Sequence, residues 1–190
     1  MTLEKDRGPS FFFGSGQKFY GYEMTREQIS PFQMARTLSR IARYSGNGDR
    51  SVSVAQHSVV LSKLPGFTLD QQRAALTHDC AEALTGDCTS PVKNRCPAFT
   101  QIDERLTRRF GEIWGVPWQA YLDVREFDSR IAKDEAIFMF LNPTPEMDEY
   151  INRAPGPLGV PYIELTAAQA AYWWQKRFHE LFKDEQWQTT

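Results

Sequence analysis

The sequence predicts an all-α fold of one domain with a short N-terminal arm. Apolar side chains recur at spacings of three and four from residue 29 onward, and helix-start signatures precede several of these runs. Glycine-rich turn chemistry between aromatic runs sets residues 1–28 apart. A length of 190 residues suits a single core. We therefore expect an arm at residues 1–28, packed on one helical domain at residues 29–190.

The arm combines two aromatic runs with a flexible link. Residues 11–13 are phenylalanines, residues 14–16 read Gly-Ser-Gly, and residues 18–22 are again rich in aromatic side chains. This pattern predicts a short β-hairpin or an ordered arm that lies on the core. The first ten residues are expected to be loose, as chain termini commonly are.

Six helices are predicted after the arm. Ser30 before Pro31 is an N-cap followed by the residue favoured at the first helical position. Capping-box signatures open the third helix at Thr68 and the last helix at Thr166. Residues 142–165 hold five prolines and two glycines, which predicts a long irregular loop. The helices are expected at about residues 31–45, 51–64, 68–85, 98–114, 119–141 and 166–183.

Composition and charge argue against several classes of function. A net charge of −2 does not suit a wide nucleic-acid surface, although a pocket for a small anion needs only a few local cations. No apolar run approaches the roughly 20 residues of a membrane span. The charged start also lacks the apolar region of a secretory signal. We therefore expect a cytoplasmic protein that has no membrane or extended nucleic-acid partner.

The densest chemical signal is a His-Asp pair, His78 and Asp79, in an otherwise apolar helix. Glu82 follows four residues after His78 and three after Asp79, so the three side chains share one side of that helix. His57 lies on the preceding helix, and the short link between the two helices can bring both imidazoles together. Imidazole and carboxylate ligands suit a first-row divalent metal such as Co, Mn, Fe, Ni or Zn.

A structural role is the ordinary interpretation of such residues. A histidine on an apolar helix face usually makes one hydrogen bond, and a His-Asp pair arises often by chance. Here two of the three histidines fall on adjacent helices, and a Gly-Asp-x-x-x-Pro-x-Lys segment follows at residues 86–93, which together favour a metal site. His179 has no ligand partner in the sequence and is expected to be structural. Three thiols are also expected to be free, those of Cys80, Cys88 and Cys96.

A resemblance to a known family is carried by four stretches, residues 35–46, 53–58, 75–93 and 124–130. They resemble the HD-domain phosphohydrolases, in particular the branch of bacterial 5′-deoxynucleotidases and phage dATP triphosphohydrolases. The third stretch, with THDCAEALTGDCTSPVK, is the most specific of the four. Residues 13–20 are also similar to the arm of many phage members. The resemblance runs from about residue 29 to residue 136, which is more than half of the chain.

The resemblance implies a role for each matching residue. Glu82 is expected to serve in acid–base chemistry, and Asp87 to lie beside the sugar. Tyr44 replaces a tryptophan that abuts the sugar in the 5′-deoxynucleotidases, so discrimination against a ribose 2′-hydroxyl stays open. The implied metal ligands are His57, His78, Asp79 and Asp128. The implied phosphate contacts are Arg43, Lys93 and Arg125.

Several of these assignments have alternatives in the sequence itself. Asp128 shares a helix face with Arg125, which favours it as the fourth ligand over Asp134 on the same helix. Arg43 could instead be a charge that stabilises a helix C-terminus. Lys93 could be a solvated loop cation, and Arg125 could pair with a neighbouring carboxylate.

The function implied by the resemblance is hydrolysis of 2′-deoxynucleotides at the 5′ phosphoester. We expect a dATP triphosphohydrolase that releases deoxynucleoside and triphosphate, with one divalent transition metal and additional Mg or Mn on the phosphates. A 5′-deoxynucleotidase acting on dNMPs, an enzyme for another phosphoester, a non-catalytic nucleotide-binding module and a helical protein without metal are the alternatives. Aromatic side chains such as Trp173, Trp174 and Trp187 suggest a homo-oligomer, although aromatics at helical spacing more often belong to the core. The location would be the host cytoplasm if a phage encodes the chain.

Overall fold

A two-stranded antiparallel hairpin opens the part of the chain that the structure, a computed structural model, describes at residues 6–183. Strand β1 (Ser10–Phe13) pairs with β2 (Gln17–Tyr20). Two glycines of the intervening turn have positive φ, a conformation that glycine adopts without a steric penalty. Phe13 and Phe19 are buried against the core and anchor the hairpin there. The predicted arm is therefore a β-hairpin.

The residues before β1 continue this hairpin. The backbone N–H of Gly21 donates to the carbonyl of Pro9, and that of Tyr22 donates to the carbonyl of Arg7. The prediction of a loose segment is therefore wrong for residues 6–10, because backbone pairing with the chain after β2 orders them. Residues 1–5 of that prediction lie outside the described residues.

Helices make up most of the rest of the described chain, which confirms the predicted all-α class. Short 3₁₀ turns occur at Gly21–Glu23, Arg26–Gln28 and Arg43–Gly46. Within residues 6–183 the helices are α1 (Pro31–Leu38), α2 (Val54–Leu61), α3 (Leu69–Thr77), α4 (Glu82–Thr85), α5 (Ser90–Lys93), α6 (Pro97–Trp114), α7 (Trp118–Met139), α8 (Pro145–Asn152) and α9 (Ala167–Leu181). None of them combines the length and the apolar character that a bilayer crossing requires.

Side-chain caps fix where several helices begin. The hydroxyls of Ser30, Thr68 and Thr166 each accept the backbone N–H three residues later, and the last two form full capping boxes. These three caps were predicted from the sequence and are confirmed. Ser53 and Thr144 cap α2 and α8 in the same way. A cap of this kind typically stabilises a helix by about 1 kcal/mol.

The first predicted helix is shorter than expected. Helix α1 ends at Leu38, and the chain then pairs with the segment before α2 instead of continuing to Gly46. The N–H of Arg43 donates to the carbonyl of Val52, and the N–H of Val54 donates to the carbonyl of Ile41. These long-range bonds satisfy the backbone that a longer helix would have satisfied internally.

The third predicted helix is interrupted at the His-Asp pair. Between α3 and α4 the N–H groups of Cys80 and Glu82 bond to carbonyls three residues back, on Thr77 and Asp79. Bonds of this type tighten the chain to about three residues per turn. Glu82 therefore lies one tight turn after Asp79, and both carboxylates face the same side.

Residues 142–165 are not one irregular loop, as the sequence predicted. Thr144 caps α8 and Pro145 occupies its first turn, the same start signal as at Ser30-Pro31, which the high proline content obscured. Of the residues of α8, Ile151 alone is buried. The helix is therefore weakly packed and depends on the chain that follows it.

Three α7 side chains, here called the α7 clamp (Arg130, Lys133 and Asp134), fix that following chain. The Asp134 carboxylate accepts the N–H groups of three consecutive residues, 158–160, at 2.7, 2.7 and 2.9 Å. Lys133 donates from Nζ to the carbonyls of residue 153 and, at 2.6 Å, of residue 155. Arg130 donates from Nε to the carbonyl of residue 156 at 3.0 Å. The clamp holds an extended segment against α7 without regular secondary structure.

An aromatic cluster centred on α9 forms much of the core. The ring of Phe178 stacks on Trp174 at 5.3 Å and on Phe182 at 4.4 Å, and it meets Trp114 edge-on at 5.6 Å. Trp174 is fully buried, so it belongs to the core and gives no support to self-association. Trp173 is half-buried, and Trp187 lies outside the described residues.

Candidate metal centre

Four side chains from three separate elements meet at one point. His57 comes from α2, His78 and Asp79 from the turn between α3 and α4, and Asp128 from α7. The two imidazole Nε2 atoms lie 3.2 Å apart. Asp128 Oδ1 lies 3.1 Å from Nε2 of His57 and 3.6 Å from Nε2 of His78. Asp79 Oδ2 lies 3.6 and 3.2 Å from the same two atoms.

These separations are compatible with ligands of a single ion. Atoms bound to a first-row cation at about 2.1 Å lie roughly 3.0–3.4 Å apart at octahedral or tetrahedral angles. His57, His78 and Asp79 each offer one ligand atom, and these three atoms all lie within 4.8 Å of one another. Asp128 Oδ1 lies close to both imidazoles. The structure thus brings the four candidate ligands within reach of one point, as the sequence predicted for the two imidazoles.

The outer nitrogen of each imidazole fixes the tautomer of the ring. His57 Nδ1 donates to Glu135 Oε1 at 2.6 Å, and His78 Nδ1 donates to the carbonyl of Ala75 at 2.9 Å. A carbonyl and a carboxylate can only accept, so both protons are placed on Nδ1. The two Nε2 atoms then face each other at 3.2 Å, and a neutral ring presents a lone pair there that a cation can accept.

Two buried carboxylate oxygens near this point have no hydrogen-bond partner. They are Oδ2 of Asp79 and Oε2 of Glu82. A buried polar atom without a partner is costly, and native proteins rarely keep one without a functional reason. The Asp79 oxygen is one of the proposed ligand atoms, so the donor set fits a divalent metal ion.

Glu135 supports the centre from behind, a role that its sequence position did not reveal. Its carboxylate accepts from His57, from Arg43 Nε at 3.1 Å and from the Tyr162 hydroxyl at 3.2 Å, and it is fully buried. Burial alone would raise the pKa of Glu135, but the charges on Arg43 and His57 outweigh it and hold that pKa below its usual range. The only sequence signal was its position seven residues after Asp128, on the same helix face.

A cavity of about 1010 Å³ opens beside the metal ligands. Most of the residues singled out in the sequence line it, namely Arg43, Tyr44, Asp79, Glu82, Asp87, Lys93 and Asp128. Its volume lies at the upper end of the usual range for small-molecule sites.

Glu82 and Asp87 face this cavity in unlike surroundings. Glu82 is 4% exposed, and burial, followed by the charges on Asp79 and Asp87, raises the pKa of Glu82 well above its usual range. Asp87 is half-buried, and burial raises its pKa more than the nearby Arg43 charge lowers it. Glu82 is therefore the carboxyl group best suited to keep a proton near neutral pH.

Two of the three expected phosphate contacts lie in the cavity wall. Arg43 is tied to Glu135 and places its guanidinium NH1 3.8 Å from Asp79 Oδ2. Lys93 Nζ bonds to Asp103 at 2.9 Å while remaining in the wall. Neither is the merely solvated or helix-terminal charge that the sequence left open.

Arg125, the third expected contact, does not line the cavity. It is exposed, and its guanidinium carbon lies 5.7 Å from the centre of the Trp118 ring. Helical side chains lean toward the helix N-terminus, so Arg125 points back toward Trp118 and away from Asp128. The cations that line the cavity in its place are Arg130, Lys133 and Arg153. Arg130 lies within the matching stretch at residues 124–130 and could have been chosen.

Tyr44 lines the cavity, and its backbone adopts a strained left-handed conformation. It has φ 53° and is followed by Ser45 at φ 54°, a left-handed conformation that costs roughly 1–2 kcal/mol for a residue with a Cβ. Its hydroxyl donates to the carbonyl of Ala132 at 2.6 Å, and its ring meets Phe140 edge-on at 5.7 Å. The fold thus fixes the tyrosine ring in the wall and engages its hydroxyl.

The structure separates Asp128 from Asp134, the two candidates for the fourth ligand. Asp128 contacts both imidazoles, whereas both oxygens of Asp134 are engaged by backbone N–H groups in the clamp.

His179, which was expected from the sequence to be structural, lies on the surface of α9 with its ring against Phe178. The cysteines Cys80, Cys88 and Cys96 are free thiols, as predicted.

Alanine substitutions at Asp134 and Asp128 should affect different properties, stability in the first case and metal content in the second. Asp134→Ala removes an acceptor of three charge-assisted bonds, so we expect the free energy of unfolding to fall by about 3 kcal/mol with bound metal unchanged. Asp128→Ala should lower the metal content and leave the unfolding of EDTA-treated protein close to wild type. Urea denaturation with EDTA and elemental analysis of the purified proteins measure both quantities. Loss of metal from Asp134→Ala alone would show that the assignment is reversed.

Comparisons with known proteins give similarity without a described activity. No protein-family model matches the chain. The uncharacterized protein YfdR of Escherichia coli is 33% identical over 105 residues, which cover 54% of this chain and 57% of YfdR. An uncharacterized protein of Rhodobacter capsulatus is 32% identical over 111 residues, which cover 54% of this chain and 57% of the relative. The chain thus spans about half the length of the curated relatives it matches.

Proposed function

We propose that the protein is a divalent-metal-dependent phosphohydrolase of the HD-domain type that cleaves the 5′ phosphoester of 2′-deoxynucleotides. The observation that carries this proposal is the meeting of two imidazoles and two carboxylates at the floor of a large cavity. A buried, partnerless glutamate oxygen and several cations lie in the same cavity. A structural histidine cluster would need neither the cavity nor these charges.

The ion would be held by His57, His78, Asp79 and Asp128. When bound, a divalent ion supplies Lewis acidity toward phosphoryl oxygens and lowers the pKa of water toward ~7. The protein's own contribution is to present both Nε2 lone pairs in fixed orientation, because Glu135 and a backbone carbonyl hold the outer nitrogens.

Glu82 would handle the proton that the reaction needs. Hydrolysis adds water to the phosphorus nearest the sugar, breaks its bond to the 5′-oxygen and requires a proton on that oxygen. Glu82 faces the cavity with an oxygen that has no other partner, and its raised pKa keeps the proton available. Arg43 and Lys93 would balance the negative charge of the phosphates, which is the main electrostatic demand of phosphoryl transfer.

A triphosphate is the substrate that the cavity favours. Five cations line it, which are Arg43, Lys93, Arg130, Lys133 and Arg153. The volume leaves space for phosphates beyond the first, and dATP is our best single candidate. A dNMP is the second candidate, because all five cations already have partners within the chain. Arg43, Lys93, Arg130 and Arg153 pair with acidic side chains, and Lys133 bonds to backbone carbonyls, which leaves less charge for additional phosphates.

A substrate panel tests this function. Purified protein is incubated with Mn²⁺ or Co²⁺ and each dNMP, dNTP and the corresponding ribonucleotides, and products are separated as phosphate or triphosphate. In ¹⁸O-water the label should appear in the phosphate product and not in the nucleoside, since the P–O bond is cleaved. Asp128→Ala is the inactive control. Absence of turnover on every nucleotide would overturn the proposal.

A further inference from the structure

The cavity has two chemically different ends. Asp79, Glu82 and Asp128 lie at one end with the metal ligands, whereas Tyr44 and Tyr150 lie together elsewhere, their hydroxyl oxygens 3.4 Å apart. Phe140 and Met147 complete the aromatic and apolar lining on that side.

Helix α7 gives the separation between the two ends. Asp128 marks the metal end, and Ala132, whose carbonyl accepts the Tyr44 hydroxyl, lies one turn farther on. Phe140, at the end of α7, packs on the Tyr44 ring. At a rise of 1.5 Å per residue, Ala132 and Phe140 lie about 6 and about 18 Å beyond Asp128 along the axis. The aromatic end thus begins roughly one sugar's length from the metal end.

Helix α8 presents the outer wall of this aromatic end. Met147 and Tyr150 are three residues apart, on one face, and both line the cavity. Tyr150 remains 36% exposed, so part of its side chain is accessible to a ligand. The α7 clamp fixes the chain directly after α8, with Lys133 Nζ also 5.8 Å from the Tyr150 ring centre. The Tyr150 ring is therefore positioned in the cavity wall by α8, which is weakly packed itself but is followed by a segment that the α7 clamp fixes.

We propose that Tyr150 is the platform on which the nucleobase stacks. This inference rests on the proposed nucleotide hydrolysis, since it assigns the base to the aromatic end when the phosphate lies at the metal end. The hydroxyls of Tyr44 and Tyr150 are close to each other, and that of Tyr44 also bonds to a backbone carbonyl, so recognition here depends on ring area. Stacking tolerates every base and favours the larger purines. The flexible thioether of Met147 can adapt to either ring size.

Removing the ring tests the platform. For Tyr150→Ala we expect kcat/KM on a purine deoxynucleotide to fall about 10- to 100-fold, mainly through KM, in line with the usual loss of one base–aromatic stack. A pyrimidine deoxynucleotide should lose less. The base-free deoxyribose with the same phosphates should change less than twofold, by the same stacking argument. Tyr150→Phe keeps the ring and should behave as wild type, and Tyr172→Ala, an exposed tyrosine on α9, is the matched control.

Equal losses on the nucleotide and the base-free analogue, or no loss on either, would overturn the platform. Calorimetric binding of the same ligands in EDTA keeps this outcome apart from failure of the proposed hydrolysis. If wild type binds a deoxynucleotide without turning it over and Tyr150→Ala weakens that binding, the base site stands and the hydrolase is wrong. If wild type neither binds nor hydrolyses any deoxynucleotide, both are wrong.

Discussion

Asp79→Ala should lose both its metal and its phosphohydrolase activity. Asp79 Oδ2 is a buried oxygen without a hydrogen-bond partner, 3.2 Å from His78 Nε2 and 3.6 Å from His57 Nε2. Removing this carboxylate takes away one proposed ligand and one of the charges that hold Arg43 in place. We expect kcat/KM to fall by at least about 10³-fold, because the interaction lost acts in the transition state as well as in metal binding. Elemental analysis and nucleotide hydrolysis measure the two losses.

The control must show that the loss is local. Asp123→Ala removes an exposed aspartate of α7 that contacts only a neighbouring glutamine among the described contacts, so its metal content and activity should match wild type. Treatment of wild-type protein with EDTA should imitate Asp79→Ala, and Mn²⁺ or Co²⁺ should restore wild type and not the variant. Retention of a full equivalent of metal by Asp79→Ala would place the centre elsewhere.

Glu82→Gln should keep its metal and lose turnover. The amide has the same shape but cannot donate the proton that the leaving oxygen needs, so we expect kcat to fall about 10²- to 10⁴-fold. Burial and the neighbouring carboxylates raise the pKa of Glu82, so its acid form persists to a higher pH than that of an exposed glutamate. The wild-type rate should therefore decline as the pH rises through that pKa, and this alkaline limb should disappear in the variant.

A matched glutamate makes this result interpretable. Glu104→Gln changes a partly exposed residue of α6 that pairs with Arg108, and its kinetics should equal those of wild type. Metal content should be the same in all three proteins. If Glu82→Gln retains more than about a tenth of the wild-type kcat, general acid catalysis by this residue is excluded, since such catalysis contributes about 10²-fold or more.

Local patterns in the sequence were enough to predict that the candidate metal ligands lie close together. His57, His78 and Asp79 lie on consecutive elements joined by short links, so their meeting required only that two neighbouring segments pack. Asp128 could be preferred over Asp134 because helical spacing separates their directions. The caps at Ser30, Thr68 and Thr166 were equally local and are confirmed.

Contacts between distant parts of the chain could not be predicted in the same way. Glu135 acquires its role from Arg43, 92 residues earlier, and neither position signals the pairing. The family resemblance implied a phosphate contact for Arg125, whereas the lean of helical side chains turns it away from the cavity. Helix α8 escaped prediction because its prolines outweighed the cap at Thr144.

At the proposed site, binding of a metal ion between the two imidazole Nε2 atoms would displace a proton. Burial lowers the pKa of His78, but the carboxylates of Asp79 and Asp128 outweigh it, and the pKa of His78 is raised well above its usual range. In the proposed site, a hydrogen ion shared by the two Nε2 atoms would have to leave when a metal ion binds. We therefore expect the apparent metal affinity to fall as the medium becomes more acidic.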